Sequence, residues 1–203
     1  DSRSNLPYRR LGLAARATYS YADRYLVEFN CGYNGSENFA PGHRFGFFPS
    51  VSLGWVISNE KWFNVPFINN LKIRGSHGIV GNDVLGIRFG YLSTVKTDGQ
   101  YYFFGANHIL YRGMEEYAMG NTELTWEKSH KTDIGLDLGL FDNRVVLQAD
   151  YFREHREDIL QQRNTIPNST GIYPWSVPYG NIGIVDNEGF DAMLEIRNTT
   201  AGG

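Results

Sequence analysis

Residues 122–154 read TELTWEKSHKTDIGLDLGLFDNRVVLQADYFRE, and the choice of fold turns on them. Thr132, Ile134, Leu136, Leu138 and Leu140 share one parity, and Lys131, Asp133, Gly135, Asp137 and Gly139 share the other. A period of two marks a β-strand, because successive side chains leave a pleated chain on opposite faces. Asp142-Asn143 makes a tight polar turn. The return segment alternates again, with Val145, Leu147, Ala149 and Tyr151 against Val146, Gln148, Asp150 and Phe152. This is a hairpin with one apolar face and one mostly polar, glycine-spotted face. Two environments produce that pattern. In a soluble sandwich the apolar face looks into a core; in an outer-membrane barrel it meets lipid while the polar face lines a lumen.

The same alternation extends outward in both directions. Towards the N-terminus, Leu11–Tyr21 sets Leu13, Ala15, Ala17, Tyr19 and Tyr21 against Arg16, Thr18 and Ser20, and Tyr25–Tyr33 sets Val27, Phe29 and Cys31 against Leu26, Glu28 and Asn30. A polar loop is expected over Asn34–Pro49, where Asn-Gly and Pro-Gly supply turn chemistry, before a strand carrying Val51, Leu53, Trp55 and Ile57. Leu71–Val80 reads as a fourth strand with Lys72 and Arg74 on its polar side. Gly81–Asn121 is long and irregular and holds Tyr101-Tyr102-Phe103-Phe104; any short strands in it cannot be located from periodicity. After the hairpin a second long loop is expected over Arg156–Gly180, then a strand placing Phe190, Ala192, Leu194 and Ile196 opposite Asp191, Met193 and Glu195.

Composition narrows the classes. The chain has 203 residues and a formal net charge of -3, which gives no electrostatic case for nucleic acid. Charged residues are 20% and aromatics 15%, a mix that favours sheets and membrane interfaces. No run approaches the ~20 apolar residues of a spanning helix, which leaves a barrel open because barrel strands hide half their residues from a hydropathy sum. Cys31 is the single cysteine, so there is no disulfide framework. The chain opens on Asp1-Ser-Arg-Ser and stops at Thr199-Thr-Ala-Gly-Gly just after a strand-like run, so we expect a piece of a longer protein.

The expected connections run short, long, moderate, long, short, long. Short turns on one side and long loops on the other are what a transmembrane barrel requires. That topology puts Tyr19, Tyr21, Tyr25 and Trp55 near one rim and Tyr33 and Tyr151 near the other, as two aromatic girdles. Eight steps from Tyr25 to Tyr33, at about 3.3 Å each and a tilt near 40°, span roughly 20 Å, close to the apolar band of such barrels. Exposing Lys72, Arg74 or Lys131 to lipid at mid-depth would cost about 2–4 kcal/mol each, so in a barrel the polar parity faces the lumen. Periodicity alone still leaves the sandwich, with the same charges facing water.

The wording of the chain carries further. GLAARATYSYADRYLVEFNCGYNGSENF (12–39), FGFFPSVSLGWVISNEKWF (45–63), LKIRGSHGIVGN (71–82), NTELTWEKSHKTDIGLDLGLFDNRVVLQADYFREHREDIL (121–160), STG (169–171) and NIGIVDNEGFDAMLEI (181–196) resemble, in this order, the barrel of SusC/RagA-like TonB-linked outer-membrane transporters. The resemblance is weakest over 81–121, and His77 and Cys31 stand where an aromatic and a plain strand residue are expected. It implies an all-β, antiparallel up-and-down transmembrane β-barrel segment, about seven strands of a larger barrel. It further implies import of oligosaccharides or peptides across the bacterial outer membrane, with TonB and a SusD-like surface lipoprotein as partners. Residues 1–203 would be part of the barrel domain, without the plug, the TonB box and the closing C-terminal strand. The resemblance implies no enzyme and no cofactor.

Other chemistry is thin. His43, His77, His108, His130 and His155 lack metal-ligand spacing, and no metal site is expected. Glu115-Glu116 and Glu157-Asp158 resemble acid pairs for glycoside hydrolysis, yet both fall in expected loops where solvated charge is the ordinary reading. The long loops are better candidates: Tyr101, Tyr102, Phe104, Tyr111, Tyr173, Trp175 and Tyr179 offer flat rings for stacking on sugar or peptide. The bland reading packs them onto each other or onto the lipoprotein lid. From another class, the alternative for the whole chain is a soluble all-β carbohydrate-binding module. On the barrel reading Trp126, Lys128 and His130 share the lipid-facing parity but lie above the apolar band, so their strand should run past the membrane.

Overall fold

A computed structural model describes residues 7–84, 86–99, 101–163, 167, 169 and 176–197. Its strands are β1 (Arg10–Tyr21), β2 (Tyr25–Ser36), β3 (Phe45–Val56), β4 (Ile68–Asn82), β5 (Thr94–Lys96), β6 (Tyr101–Phe104), β7 (Ile109–Arg112), β8 (Glu115–Ala118), β9 (Glu127–Leu140), β10 (Val145–Gln162) and β11 (Tyr179–Ile196). Seven of them form one sheet in the order β1-β2-β3-β4-β9-β10-β11. Neighbours in it are antiparallel throughout. The other two sheets are two-stranded ribbons, β5-β8 and β6-β7, and together they nest inside the long connection between β4 and β9.

Register keeps the two parities apart across the whole sheet. Trp55 lies opposite Ile73, Ile73 opposite Leu136, and Leu136 opposite Ala149, so the apolar residues align in rows on one face. A slip by one residue would turn every one of them over. Nothing covers that face among the described residues: Leu13 is 71% exposed, Leu53 57%, Ile134 57% and Leu194 61%. A sandwich would bury these side chains under a second sheet, so the sheet is the open wall of a barrel. No described helix is long and apolar enough to cross a membrane.

Several strands run further than the sequence suggested. The third begins at Phe45, not Val51, and the loop expected over Asn34–Pro49 shrinks to residues 37–44. Gly46 and Pro49 fall within the expected loop, but β2 supplies a ladder for them, Asn34 opposite Gly46 and Cys31 opposite Pro49. Proline lacks a ladder donor, and β4 pairs with β3 only from Ser50 onward, so Pro49 sits where that side needs none. The expected alternation in loop length is corrected too, since 37–44 is shorter than the opposite-end connection 57–67. The second long loop starts at 163, not Arg156, because β10 continues through a bulge at Asp158, whose φ is 59°. Glu157-Asp158 and Glu115-Glu116 therefore stand on strands β10 and β8, not in loops.

At the short-turn end, Ala22 and Asp23 take φ of 52° and 54°, the left-handed backbone whose twist matches the flanking strands. The long-loop end carries the buried core among the described residues. Phe39 and Leu124 are 0% exposed and Trp126 6%, with Phe48, Ile87, Leu160 and Tyr179 packed around them. Trp126 is a correction to the expected outward row. β9 starts one residue later, and the indole turns under the 37–44 loop, where Nε1 donates to the Arg44 carbonyl at 3.1 Å and the ring meets Phe39 and Phe48. Burial of a large ring with its single donor satisfied outweighs continuation of strand parity.

Candidate functional site

The polar face is organised by one row. Arg74 on β4 lies opposite Gly135 on β9, and Gly135 lies opposite Asp150 on β10. With no side chain on the middle strand, the outer two meet across it: Arg74 Nη2 donates to Asp150 Oδ2 at 2.7 Å. A Cβ at Gly135 would overlap both the Asp150 carboxylate and the Arg74 guanidinium. Asp133 and Asp137, one residue pair above and below Gly135, each accept from the same guanidinium at 3.4 Å. Arg16 and Asn30 likewise hold Glu28, at 2.5 and 2.8 Å. A groove of about 540 Å³ runs along this wall past Thr18, Glu28, Ser52, Lys72 and Arg74. Charge on this face is ion-paired yet solvent-facing, a surface that water and polar solutes wet.

Above this, near the long-loop end, Glu154 forms a second knot. Ser129 Oγ donates to it at 2.6 Å and Arg156 Nη2 at 2.9 Å, and Lys131 Nζ stands 3.7 Å away. Those donors, led by the Ser129 hydroxyl, hold the Glu154 carboxyl down to about 2. A depressed carboxyl adds stability that is complete above its ordinary value near 4.5 and is lost as pH falls towards 2. Glu154→Gln should therefore cost on the order of 2 kcal/mol at neutral pH and only a small fraction of that at pH 2. Hydrogen exchange of the Ser129–Lys131 and Arg153–Arg156 amides in the full-length protein reads this directly. Equal protection in both proteins across the range would refute it.

On the opposite face the apolar stripe gives way to paired charge at the same height. Lys128 binds Asp158 at 3.0 Å, His130 approaches Glu157 at 3.2 Å and His155 approaches Asp186 at 2.8 Å. Strands β9 to β11 thus continue beyond the apolar band as polar wall. A third polar knot ties β1 to the loops. Buried Asp83 pairs with Arg10 at 2.7 Å and takes the Tyr8 hydroxyl, while Asn38 donates to its carbonyl at 2.9 Å. Among the described residues no group of three or more His, Cys, Asp or Glu is placed to hold a metal.

The candidate ring cluster divides. Tyr102, Phe104 and Tyr111 share one face of the β6-β7 ribbon, with Phe104 edge-on to Tyr111 at 5.6 Å and Tyr102 at 6.5 Å from Phe104. Tyr101 lies on the other face under the Arg112 guanidinium at 5.7 Å. Phe103 and Leu110 also stand exposed on that other face and Ile109 on the first, three residues that the sequence reading did not single out for binding. Tyr179, expected in a loop, opens β11 and packs on the Phe39–Leu124–Trp126 core. Tyr173 and Trp175 lie outside the described residues.

The girdle candidates line up on the exposed apolar face. Tyr25 lies 6.5 Å from Tyr21 and 6.4 Å from Trp55, near-parallel to the latter, with Tyr19 one row above. Glu60, from the turn after β3, was not foreseen, and it collects the Tyr25 hydroxyl at 2.7 Å and Trp55 Nε1 at 3.1 Å. These two donors lower its carboxyl below the ordinary range. At the other end Tyr33 stacks on Phe45 at 5.2 Å and the Tyr151 hydroxyl donates to Glu188 at 3.1 Å.

This arrangement has close likenesses. The family model described as TonB dependent receptor-like, beta-barrel matches residues 1–202. TonB-dependent receptor P3 of Formosa agariphila is 32% identical over 186 residues, which cover 91% of this chain and 18% of that protein. TonB-dependent receptor SusC of Bacteroides thetaiotaomicron is 30% identical over 183 residues, covering 90% of this chain and 18% of its own length. Among solved structures, the RagAB peptide importer in the closed-closed state superposes with a TM-score of 0.77 at 23% identity, over 95% of this chain and 20% of that one. The chain therefore spans about a fifth of the length of the proteins it matches.

Proposed function

The chain belongs to the TonB-dependent receptor-like β-barrel family and is SusC/RagA-like, and from that premise we propose that it supplies barrel wall and extracellular loops to an outer-membrane importer of oligosaccharides or peptides. Members of this family are outer-membrane transporters, not enzymes. The observation that carries the reading is the single-layer sheet with one bare apolar face and one ion-paired polar face. Lipid meets the first and the lumen the second; the end with the turns at 22–24 and 141–144 is periplasmic and the end with the 83–126 connection extracellular. The whole protein would draw energy through TonB and close against a SusD-like surface lipoprotein. A soluble carbohydrate-binding module fits less well, because it has no use for an uncovered apolar wall.

Cargo is assigned to the two long extracellular segments. Exposed Tyr102, Phe104 and Tyr111 form a ring platform on one ribbon face, and cargo contact is assigned as well to Tyr101 on the other face and to Tyr173, Trp175 and Tyr179. Support comes from their exposure on one ribbon face and from the structural likeness to the RagAB peptide importer. Ala at Tyr102, Phe104 and Tyr111 together, in the full-length protein, should weaken uptake of labelled oligosaccharide or peptide about 10- to 100-fold, as loss of one to two stacking contacts would. Uptake unchanged by that triple and by Tyr173→Ala with Trp175→Ala would remove the loops from cargo binding.

A further inference from the structure

The apolar face is not smooth. Gly75 stands in the row between Leu53 and Ile134, and a methyl group there would meet only the Asp133 carbonyl, at 3.8 Å. Its neighbours stand proud, with Leu53 and Ile134 each 57% exposed, Ile73 42% and Trp55 38%. The missing side chain therefore leaves a groove of about 520 Å³ whose lining is almost wholly apolar, running down to Tyr25 and Trp55. At that end the chemistry changes abruptly. Glu60 is engaged by Tyr25 and Trp55, and the Arg24 guanidinium approaches it only to 3.6 Å. Arg24 Nε is shielded and makes no hydrogen bond among the described residues.

We propose that this groove seats one acyl chain of a periplasmic-leaflet phospholipid, with the headgroup phosphate on Arg24. The inference rests on the reading that this face meets lipid. A slot one residue wide and floored by glycine fits a single hydrocarbon chain, and it is continuous with the rest of the apolar wall. The Arg24 guanidinium, partly exposed at the rim and held by Glu60 only at 3.6 Å, complements a phosphate, whose oxygens take N–H groups from its exposed part. The aromatic pair Tyr25–Trp55 marks the depth where chain gives way to headgroup. A second copy of the barrel would present a convex wall of its own and would leave the slot unfilled.

The test is native mass spectrometry of the full-length protein released from detergent after incubation with dipalmitoyl phosphatidylglycerol. Wild type should retain one lipid. Gly75→Leu, which fills open space, should cut that occupancy about tenfold, and Arg24→Gln about fivefold, while the outward Ala149→Leu leaves it unchanged. Each variant is first shown to insert into the outer membrane as a heat-modifiable barrel. Inserted Gly75→Leu protein that keeps its lipid would overturn the groove assignment and leave the membrane reading standing. The same holds if Gly75→Leu instead converts a dimer to a monomer without losing lipid. A wild-type protein monodisperse without detergent would overturn the membrane reading, and the groove with it.

Discussion

Replacing Gly135 by leucine in the full-length protein is expected to cost about 3 kcal/mol and to lower the yield of inserted barrel, the combined effect of overpacking and a broken, partly desolvated ion pair. The cause is steric before it is electrostatic. Gly135 is the gap through which Arg74 and Asp150, 76 positions apart in sequence, meet across an intervening strand. A side chain there occupies the space of their contact and separates them. Asp133 and Asp137 keep only their longer contacts with a displaced guanidinium. Gly75 in the neighbouring row supplies the control, because its side chain would enter open space on the other face. Gly75→Ala should stay within about 0.5 kcal/mol of wild type. Urea titration of refolding into phospholipid vesicles measures both, and equal stability of the two variants would refute the role given to Gly135.

The second large effect follows from which face meets lipid. Leu136 lies near the middle of the apolar stripe, between Ile73 and Ala149. Arginine there should cost about 2–4 kcal/mol, the expense of holding a guanidinium at mid-bilayer. Ser76 has the opposite parity, opposite Ser52 on one side and Asp133 on the other. Ser76→Arg should cost under about 1 kcal/mol, since it adds a cation to a wetted wall already rich in carboxylate. The same vesicle titration reads the difference. A soluble module would reverse the ranking, tolerating charge on whichever face water reaches.

Much of this was legible in the chain itself. The alternation over 131–151 gave both faces of β9 and β10 and the turn between them, and the pairs Leu140 with Val145, Leu138 with Leu147 and Leu136 with Ala149 follow that parity. Family likeness supplied the strand order. What stayed hidden depended on distant partners. Gly46 and Pro49 look like loop residues until β2 is there to pair with them. Trp126 looks like the next outward residue of a strand until the 37–44 loop offers a buried pocket and a carbonyl. Short strands within 81–121 were allowed for but not placed, because runs of three or four residues, as in β5 to β8, are too short to show a period.

The candidate site divides along the same line. Polar parity located Arg74, Asp133, Asp137 and Asp150 on one wall, but not the hub they form, because a glycine gap is invisible until three strands lie side by side. Glu60 could not be foreseen as the anchor of Tyr25 and Trp55, since it comes from a turn with no periodicity. Tyr102, Phe104 and Tyr111 were chosen for their chemistry, and the β6-β7 register brings them onto one face.

Lipid on one face of β9 and lumen on the other would give opposite nitroxide accessibilities at alternate positions along that strand. Cys31, the chain's single cysteine, is first replaced by serine. Spin labels are then placed one at a time at 132, 134, 136 and 138 and at 131, 133 and 137 in the full-length protein reconstituted in phospholipid vesicles. The even positions from 134 should collide with oxygen and be shielded from an aqueous nickel chelate, while the odd positions show the reverse. Position 132, at the edge of the polar belt, should be intermediate. Nickel accessibility at 134, 136 and 138 equal to that at 133 and 137 would contradict it.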